Sequence, residues 1–405
     1  MSRVLWLSGR LPTPLFAGDA LYSAGIINAL AQTGKVEICV VGTRRDDRPP
    51  SGNVSLGRGI ACVDVPQARS SVAGLARALL SGICKDATNL ATPELKDALV
   101  GLLEQEWDWI VIDHANSAGL LQAVESNRKS ASICYVAHNA EGKARPEIAM
   151  KIGNFFRRSI MRLDAENYRR LELRVVDAAD VVLCIADTDA SYFSQYHRNV
   201  HVIPPVYLGT TTAARDISED CPRAVLLVGS FDWVAKQENL ESIVRVIVPI
   251  LARSGITLNV VGSVPDSVRQ RLATDRPNLK FHGLVSDIAE ALAGSRGGLV
   301  AEDLGGGFKL KVLDYAFNRV PIFGLNRAMG GTTAEERRAM ILADDMESLG
   351  TAIVQNIDNL PKLNQSQNRL FDLVSDRFGM KSGIGRLEAV FPKQRKAESG
   401  AGALV

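Results

Sequence analysis

Three consecutive glycines followed by two lysines form the most informative stretch of the sequence, within GLVAEDLGGGFKLKVLDYAF at 298–317. An apolar run ends near Glu302, and a helical pattern begins a few residues later. Glycines let backbone N–H groups approach an anion, and a helix start adds unpaired N–H donors with about half a unit of positive charge. Lysines in a first turn are unfavourable unless an anion offsets them. The stretch predicts a phosphate or diphosphate site, and the alternative is a flexible loop with solvated lysines. The predicted site residues are Gly305, Gly306, Gly307, Phe308, Lys309 and Lys311.

A second lysine-bearing loop follows the apolar run AVLLVGS at 224–230. Gly229 and Ser230 end this run, and Lys236 precedes a long helical pattern. Glycine at the carboxyl end of a strand leaves room for a ligand, at the edge where open parallel sheets bind theirs. Lys236 would then be a second cation on the same diphosphate, whereas a surface lysine at a helix start is the alternative. Asp314, further along the first helix, would reach a polar group beyond the phosphates, such as ribose hydroxyls.

Histidines stand at three predicted strand ends. His138 ends ICYVAH and comes shortly before Glu141, at the edge where open sheets bind ligands. The alternative for His138 is a capping or core histidine. His114 follows WIVID in a similar position and is the weaker candidate, and His282 precedes Gly283 at another strand end.

The acidic triplet DTD at 187–189 matches a metal–diphosphate signature of a different transferase fold. Its position between a strand and a helix is explained by helix capping. We therefore expect no metal and no cofactor. Lysines and helix N–H groups would then neutralise the charge of a leaving diphosphate.

Short apolar runs alternate with longer amphipathic stretches, which predicts alternating strands and helices. The runs are apolar on both faces, as strands covered by helices on both sides must be. The alternation predicts two doubly wound α/β halves with parallel sheets and right-handed crossovers. The predicted strands are 4–8, 36–41, 109–113, 133–138, 181–186 and 200–205 in the first half, and 224–230, 257–263, 279–283, 297–302 and 320–325 in the second.

The segment 207–223 is polar and weakly periodic, and we expect it to link the two halves. The predicted domains are then 1–206 and 224–367. Helical patterns at 368–391 have no strand after them and are expected to pack back on the first domain. The tail 392–405 is rich in small and polar residues and is predicted to be disordered.

Length and composition exclude several classes of protein. At ~150 residues per domain, 405 residues correspond to two or three domains. The net charge of +2 argues against a strongly basic nucleic-acid binder. No run reaches the ~18 apolar residues of a membrane span, and the N-terminal apolar run is too short for a signal peptide. Six single cysteines, mostly in apolar segments, are typical of buried thiols in a cytoplasmic protein.

These segments together resemble the group 1 glycosyltransferases of the GT-B fold, retaining enzymes that use nucleotide-sugar donors. GSFDWVAKQEN resembles the family's strand–loop–helix with a donor-phosphate lysine, and GGGFKLKVLDYAFNRVPIF resembles its glycine loop, basic pair, acidic residue and following strand. RLPTPLFAGDALYSAGIINALAQTG resembles the opening loop, with Gly18 and Asp19 near donor and acceptor. VAHNAEGKARPE resembles the strand-end His-Asn-x-Glu element. The resemblance covers roughly 1–390.

The resemblance implies that the second domain binds a nucleotide sugar, that the first binds a glycan or lipid-linked acceptor, and that nucleic acid is not a partner. It also implies a retained anomeric configuration and a role in bacterial surface polysaccharide synthesis. By resemblance, Lys236 and His138 are catalytic. Lys236 would contact the donor phosphates, and His138 would contact the donor sugar or the acceptor hydroxyl. Asp314 would hold the ribose, and the turn at His282 would lie near the base.

The sequence departs from the family's usual pair of glutamates separated by seven residues. Asp314 stands at the second position, Gly306 lies eight residues before it, and Glu302 is the nearest acid upstream. Two other functions therefore stay open: a nucleotide-sugar epimerase of the same fold, and a non-catalytic nucleotide-sugar-binding protein. A Rossmann oxidoreductase is disfavoured because no GxGxxG follows the first strand.

Arginines and apolar side chains alternate in MKIGNFFRRSIMRLDAENYRRLELR at 150–174. This pattern predicts a basic amphipathic helix that rests on the inner face of the cytoplasmic membrane, where a lipid-linked acceptor would lie. The acids Asp164, Glu166 and Glu172 favour the alternative, a solvated packing helix.

Overall fold

The computed structural model describes residues 1–12, 18–44, 60–66, 82–150, 155–285, 288–302 and 308–391. Thirteen strands form two sheets, in which every neighbouring pair of strands is parallel. The N-terminal sheet contains β1 (Ser2–Arg10), β2 (Val36–Arg44), β3 (Ile60–Pro66), β4 (Trp109–Asp113), β5 (Ser132–Ala137), β6 (Val181–Cys184) and β7 (Val200–Val202). The C-terminal sheet contains β8 (Ala224–Val228), β9 (Thr257–Val261), β10 (Leu279–Gly283), β11 (Gly297–Val300), β12 (Ile322–Leu325) and β13 (Ile341–Ala343). Their spatial orders are β3-β2-β1-β4-β5-β6-β7 and β10-β9-β8-β11-β12-β13.

The helices of the N-terminal lobe are α1 (Gly18–Gln32), α2 (Lys85–Leu90), α3 (Pro93–Leu103), α4 (Leu121–Asn127), α5 (Glu141–Met150), α6 (Phe155–Ala178) and α7 (Asp187–Phe193). Those of the C-terminal part are α8 (Val234–Arg253), α9 (Asp266–Ala273), α10 (Ile288–Ala293), α11 (Lys311–Phe317), α12 (Ala334–Arg338), α13 (Met346–Asn356), α14 (Leu360–Phe378) and α15 (Met380–Val390). Short 3₁₀ turns lie at Ala115–Leu120 and Asn326–Ala328.

Helices cover both faces of the N-terminal sheet, which explains why the run VLWL in β1 is apolar throughout. Val4 and Trp6 pack into a cluster with α1 and α15, whereas Leu5 and Leu7 pack into a second cluster with α2, α3 and α6. Successive side chains of a strand point to opposite faces, so each face requires its own apolar partners. A third cluster forms the core of the C-terminal lobe.

The predicted fold class is confirmed: two Rossmann-like lobes with parallel sheets, followed by helices of which the last returns to the N-terminal lobe. Two strands have no counterpart in the prediction, β3 and β13. Both lie at the edge of a sheet. Most side chains of β3 are exposed or half-exposed, and β13 has only three residues, so neither contains a buried apolar run.

The two C-terminal helices belong to different lobes. Leu363, Leu370 and Phe378 of α14 are buried in the core of the C-terminal lobe. After Gly379 the chain turns into α15, whose Leu387 packs with α1 in the N-terminal lobe. The segment 392–405 lies outside the described residues. In the described part of the chain, no helix combines the length and the apolar character that crossing a bilayer would require.

Candidate active site

Three lysines of the C-terminal lobe lie close together beyond the carboxyl ends of β8 and β11. Lys236 stands in the first turn of α8, and Lys311 is the first residue of α11. Burial lowers the pKa of Lys236, and the charge of Lys311 lowers it further. Burial also lowers the pKa of Lys309, and the charges of Lys311 and Lys236 add to that effect. Neighbouring cations that repel one another in this way are stabilised by a bound anion.

Glu302 is the counter-ion within this lysine cluster. One of its carboxylate oxygens pairs with Nζ of Lys311. Burial would raise the pKa of Glu302, but the charges of Lys311 and Lys309 outweigh burial and hold it below its usual value. The other oxygen, Oε2, is buried and has no hydrogen-bond partner among the described residues. A hydroxyl group of a ligand would satisfy this oxygen, since buried polar atoms are rarely left unpaired.

Asp314 lies on the side of α11 that faces the interdomain linker. Burial raises the pKa of Asp314 to about 6, although the neighbouring Tyr207 hydroxyl and Lys311 act in the opposite direction. Tyr207 stacks on Phe317 with 4.3 Å between ring centroids, and its hydroxyl accepts a hydrogen bond from Nδ2 of Asn318 at 3.2 Å. Tyr207 of the linker is thus the neighbour of Asp314 in this structure. The predicted contact of Asp314 with a ribose stays a prediction.

The loop after β8 is tied to the end of β9. The carboxylate of Asp232 accepts hydrogen bonds from Oγ of Ser230 at 2.8 Å and from Oγ of Ser263 at 2.7 Å. Gly262 has a φ of 125°, and a Cβ there would lie 1.8 Å from the carbonyl oxygen of Gly229. The absence of a side chain at 262 is therefore explained by the close approach of two strand ends. The predicted phosphate contacts of Gly229 and Ser230 stay predictions.

In the N-terminal lobe, a polar cavity of about 330 Å³ lies at the carboxyl ends of β1 and β4 and beside the residue that follows β5. Its lining comes from strand ends, from the start of α1 and from α2. The lining residues used below are Arg10, Asp19, Lys85, Asp113, His114 and His138.

His138 and Asp113 form a buried pair at one wall of this cavity. Nε2 of His138 lies 2.7 Å from Oδ1 of Asp113, and the indole N–H of Trp6 donates to Oδ2 at 2.9 Å. Burial would lower the pKa of His138, but Asp113 raises it above its usual value. Burial would raise the pKa of Asp113, but His138 holds it low. Since Nε2 is engaged by Asp113, a hydrogen bond from His138 to a ligand would have to use Nδ1.

His114 lies beside this pair, with 5.0 Å between the two imidazole centroids. Its Nδ1 accepts a hydrogen bond from the backbone N–H of Asn116 at 3.2 Å, and its Nε2 lies 3.7 Å from Oε1 of Glu141. Burial and the charge of His138 lower the pKa of His114, although Glu141 acts in the opposite direction. A lowered pKa favours the neutral form of the His114 imidazole.

The loop that carries His138 is fixed to α6 by a carboxylate that sequence reasoning did not select for this role. The backbone N–H groups of Glu141 and Gly142 donate to Glu172 at 3.0 and 2.8 Å. Glu172 is fully buried. Arg145 Nε donates to Glu141 at 2.6 Å, so Glu141 faces a cation of its own helix.

The two lobes meet at the start of α1. A Cβ on Gly18 would lie 3.4 Å from Cδ1 of Leu310, the residue between the two lysines of the glycine-rich segment. Asp19 accepts a hydrogen bond from Arg10 at 3.1 Å and lines the cavity. Its charge also acts on the pKa of Lys236 in the other lobe, opposing the effect of burial. The cavity therefore adjoins the lysine cluster.

Other predicted site residues lie further away or outside the described residues. His282 is exposed at the end of β10, with Nε2 2.9 Å from Oδ1 of Asn259. The ring of Phe308 lies 5.2 Å from that of Phe378. The glycines 305–307 are not among the described residues. In the described part of the chain, no group of three His, Cys, Asp or Glu side chains is arranged to hold a metal ion.

Sequence reasoning missed Asp113 and Arg10. Asp113 ends the predicted strand 109–113 and is the last residue of β4, whereas Arg10 lies two residues beyond the predicted strand 4–8 and is the last residue of β1. A charged residue at the carboxyl end of a buried parallel strand is the signal that would have identified both.

Comparison with known protein families supports the resemblance for the C-terminal lobe. Residues 222–359 match the family described as "Glycosyl transferases group 1". No curated protein sequence matches the chain. The resemblance seen in the sequence is therefore confirmed, with the C-terminal lobe as the part that matches the family.

Solved structures show that the whole chain has the GT-B fold. Anabaena Alr3699/HepE in complex with UDP and glucose superimposes with a TM-score of 0.67 at 13% identity, over 96% of this chain and 99% of that chain. WaaG, a glycosyltransferase involved in lipopolysaccharide biosynthesis, gives 0.65 at 14% identity, over 96% and 100%. A variant of S. aureus TarM in complex with fondaparinux, alpha-GlcNAc-glycerol and UDP gives 0.67 at 10% identity, over 97% and 100%.

Proposed function

We propose that this protein transfers a sugar from a nucleoside-diphosphate sugar to a hydroxyl group of a glycan or lipid-linked acceptor, with retention of configuration. The observation that carries the proposal is the lysine cluster of one lobe beside the Asp113–His138 cavity of the other, joined where Gly18 meets Leu310. HepE has been solved in complex with UDP-glucose, which makes a uridine nucleotide the first donor to test.

Each side of the cleft has a distinct task in this reaction. As the sugar–phosphate bond breaks, negative charge develops on the diphosphate, and Lys236 and Lys309 stabilise it without moving, because they are already in place. The sugar becomes oxocarbenium-like, and Nδ1 of His138 contacts one of its hydroxyl groups. The acceptor hydroxyl enters from the cavity that adjoins the lysine cluster, on the side of the leaving group. An approach from that side supports retention of the anomeric configuration. The lysines supply the positive charge at the diphosphate.

Thermal-shift measurements with UDP, GDP and ADP test the first step, since a ligand that binds the folded state raises its apparent stability. UDP release from UDP-glucose then reports turnover. Lys236→Ala should lower turnover by ~10²-fold, the effect of losing one preorganised charge-stabilising group. Lys362→Ala, on the exposed surface of α14, is the matched control. Undiminished turnover of the Lys236 variant would refute this role. An epimerised nucleotide sugar formed without acceptor would favour the epimerase.

We also propose that the end of α5 and the start of α6 rest on an anionic membrane surface. The product would then enter bacterial surface polysaccharide. Met150, Phe155 and Leu163 are 69%, 71% and 59% exposed, and the neighbouring Arg162 is exposed as well. Apolar side chains beside cations bind the interface of acidic bilayers. The protein should float with phosphatidylglycerol vesicles and not with phosphatidylcholine vesicles. Replacing Phe155 and Leu163 by serine should abolish flotation, whereas Tyr196→Ser should not; equal binding to both vesicles would refute the proposal.

A further inference from the structure

His114 has a backbone conformation that residues with side chains avoid. Its φ and ψ are 70° and 149°, a region that is populated almost only by glycine. Of the four non-glycine residues with positive φ in the described chain, His114 is the one that lines the cavity. Strained conformations persist where the surrounding structure enforces them, and they cluster at ligand sites.

Hydrogen bonding fixes which ring nitrogen of His114 carries the proton. Because the N–H of Asn116 donates to Nδ1, that nitrogen has no proton, and the neutral ring carries its proton on Nε2. The nearest acceptor, Oε1 of Glu141, is 3.7 Å away, beyond hydrogen-bond distance. No other partner of Nε2 exists among the described residues, so His114 offers an N–H donor to whatever occupies the cavity.

The charges around the cavity do not favour an anion. Among the described residues, three carboxylates line the cavity, Asp19, Asp86 and Asp113, and the cations that line it are Arg10, Lys85 and the protonated form of His138. Arg10 is already bonded to Asp19. Binding a phosphate or carboxylate needs an excess of cationic donors.

The other lining carboxylates have partners of their own. Asp86 accepts from Tyr168 at 2.6 Å and from Arg145 at 3.3 Å, and Asp113 is paired with His138. Arg145 is shared with Glu141, and the charge of Lys85 acts on Asp164, so these described cations are already engaged with carboxylates and leave no surplus of positive charge. What remains on the cavity wall is a set of hydrogen-bonding groups suited to hydroxyls.

We infer that the cavity binds a neutral sugar unit of the acceptor, one without phosphate or carboxylate, and that His114 donates from Nε2–H to one of its hydroxyl oxygens. This inference rests on the proposed function, because it takes the adjoining lysine cluster as the donor site. The cavity volume of about 330 Å³ lies at the small end of the range of ligand pockets. His114 binds the sugar and transfers no proton.

Saturation-transfer NMR on the full-length protein with UDP tests the inference, with methyl α-glucoside and methyl α-galactoside as neutral probes and glucose 6-phosphate as the anionic one. At least one neutral glycoside should give saturation transfer, and glucose 6-phosphate should bind more weakly. The His114→Asn substitution should lower the affinity for that glycoside by ~10-fold, the effect of about one lost hydrogen bond. Asparagine is a non-β-branched residue, as histidine is, and its side-chain oxygen can still accept from the N–H of Asn116. His201→Asn, on exposed β7, is the control for losing a histidine.

The outcomes separate this inference from the proposed function. A thermal shift with UDP that is equal in wild type and the His114 variant shows that the fold and the donor site are intact. Given that shift, the inference is overturned by tighter binding of glucose 6-phosphate, by no signal from either glycoside, or by unchanged glycoside binding in the His114 variant. If no nucleotide shifts the melting temperature of the wild type, the proposed function itself fails.

Discussion

Replacing Asp113 by asparagine would show how strongly the buried pair holds His138. The two side chains are 2% and 6% exposed, and the contact is 2.7 Å. Breaking a buried charged pair by changing one partner typically destabilises a protein by about 3–5 kcal/mol. Asparagine keeps the shape and can still accept the N–H of Trp6, so we expect about 3 kcal/mol, the lower end of that range.

The stability lost in the Asp113→Asn variant should depend on pH, and the pKa shifts of His138 and Asp113 determine at which pH the loss is largest. The pKa of His138 is raised in the folded protein, so its contribution to stability is fully present below the unfolded value of ~6.5 and is lost as pH rises through the folded pKa. The pKa of Asp113 is lowered, so its contribution is present above the unfolded value of ~3.9 and is lost as pH falls through the folded pKa. The pair therefore stabilises the protein most between those two unfolded values.

Urea unfolding of wild type and variant at pH 5.5, 7.0 and 8.5 measures this difference. It should be largest at pH 5.5 and shrink towards pH 8.5, and the UDP-release rate of the variant should fall because His138 loses its orienting partner. Asp97→Asn, on the exposed side of α3, is the control. A loss of stability that is equal at pH 5.5 and 8.5 would show that the pair is not charged in the folded protein and would refute the reasoning.

Two further substitutions address acids of the C-terminal lobe. Burial raises the pKa of Asp314 from 3.8 to about 6. This carboxyl alone should therefore lower the unfolding free energy by up to ~3 kcal/mol as pH rises from 4 to 7. The Asp314→Asn variant should not show this decrease. If urea unfolding gave the same pH dependence of stability for the variant and the wild type, the prediction would be wrong. Glu302→Gln should destabilise the ligand-free protein by about 2–4 kcal/mol, because three lysines lose their counter-ion. The Glu302→Gln variant should also show a larger thermal shift with UDP than the wild type, because the diphosphate would replace the lost counter-ion. A smaller shift than that of the wild type would instead indicate that Glu302 contacts the donor directly.

The alternation of buried runs was sufficient to predict both sheets, since a strand covered on both faces must be apolar throughout. It could not reveal β3, whose side chains are mostly exposed at a sheet edge. Prediction from sequence periodicity is limited in a similar way at the end of the chain. The helical patterns near its C-terminus were predicted, but periodicity alone does not tell that Leu370 packs in one lobe and Leu387 in the other.

The site was only partly predictable, because its closest contacts join residues that are distant in the chain. Asp113 and His138 are separated by a helix, and they meet because β4 and β5 are neighbouring parallel strands in which Asp113 pairs with Val136. Spacing in the sequence does not contain that register. The role of Glu172 was hidden for a related reason: it lies in a charged helix that reads as a surface element, yet its carboxylate is fully buried and accepts two backbone N–H groups of another segment.

The distribution of charge across the cleft determines how a donor would be oriented. Among the described residues of the C-terminal lobe, three lysines lie near Glu302, and Asp232 acts on one of them, Lys236. These lysines outnumber the two acids, which would favour a diphosphate on this side. The adjoining cavity has no such excess, so the proposed donor would place its diphosphate at the lysines and its sugar towards the cavity. Asp19 lies between the two, bonded to Arg10 and acting on Lys236. A negative charge at this boundary repels the diphosphate from the cavity and also stabilises positive charge that develops on the departing sugar.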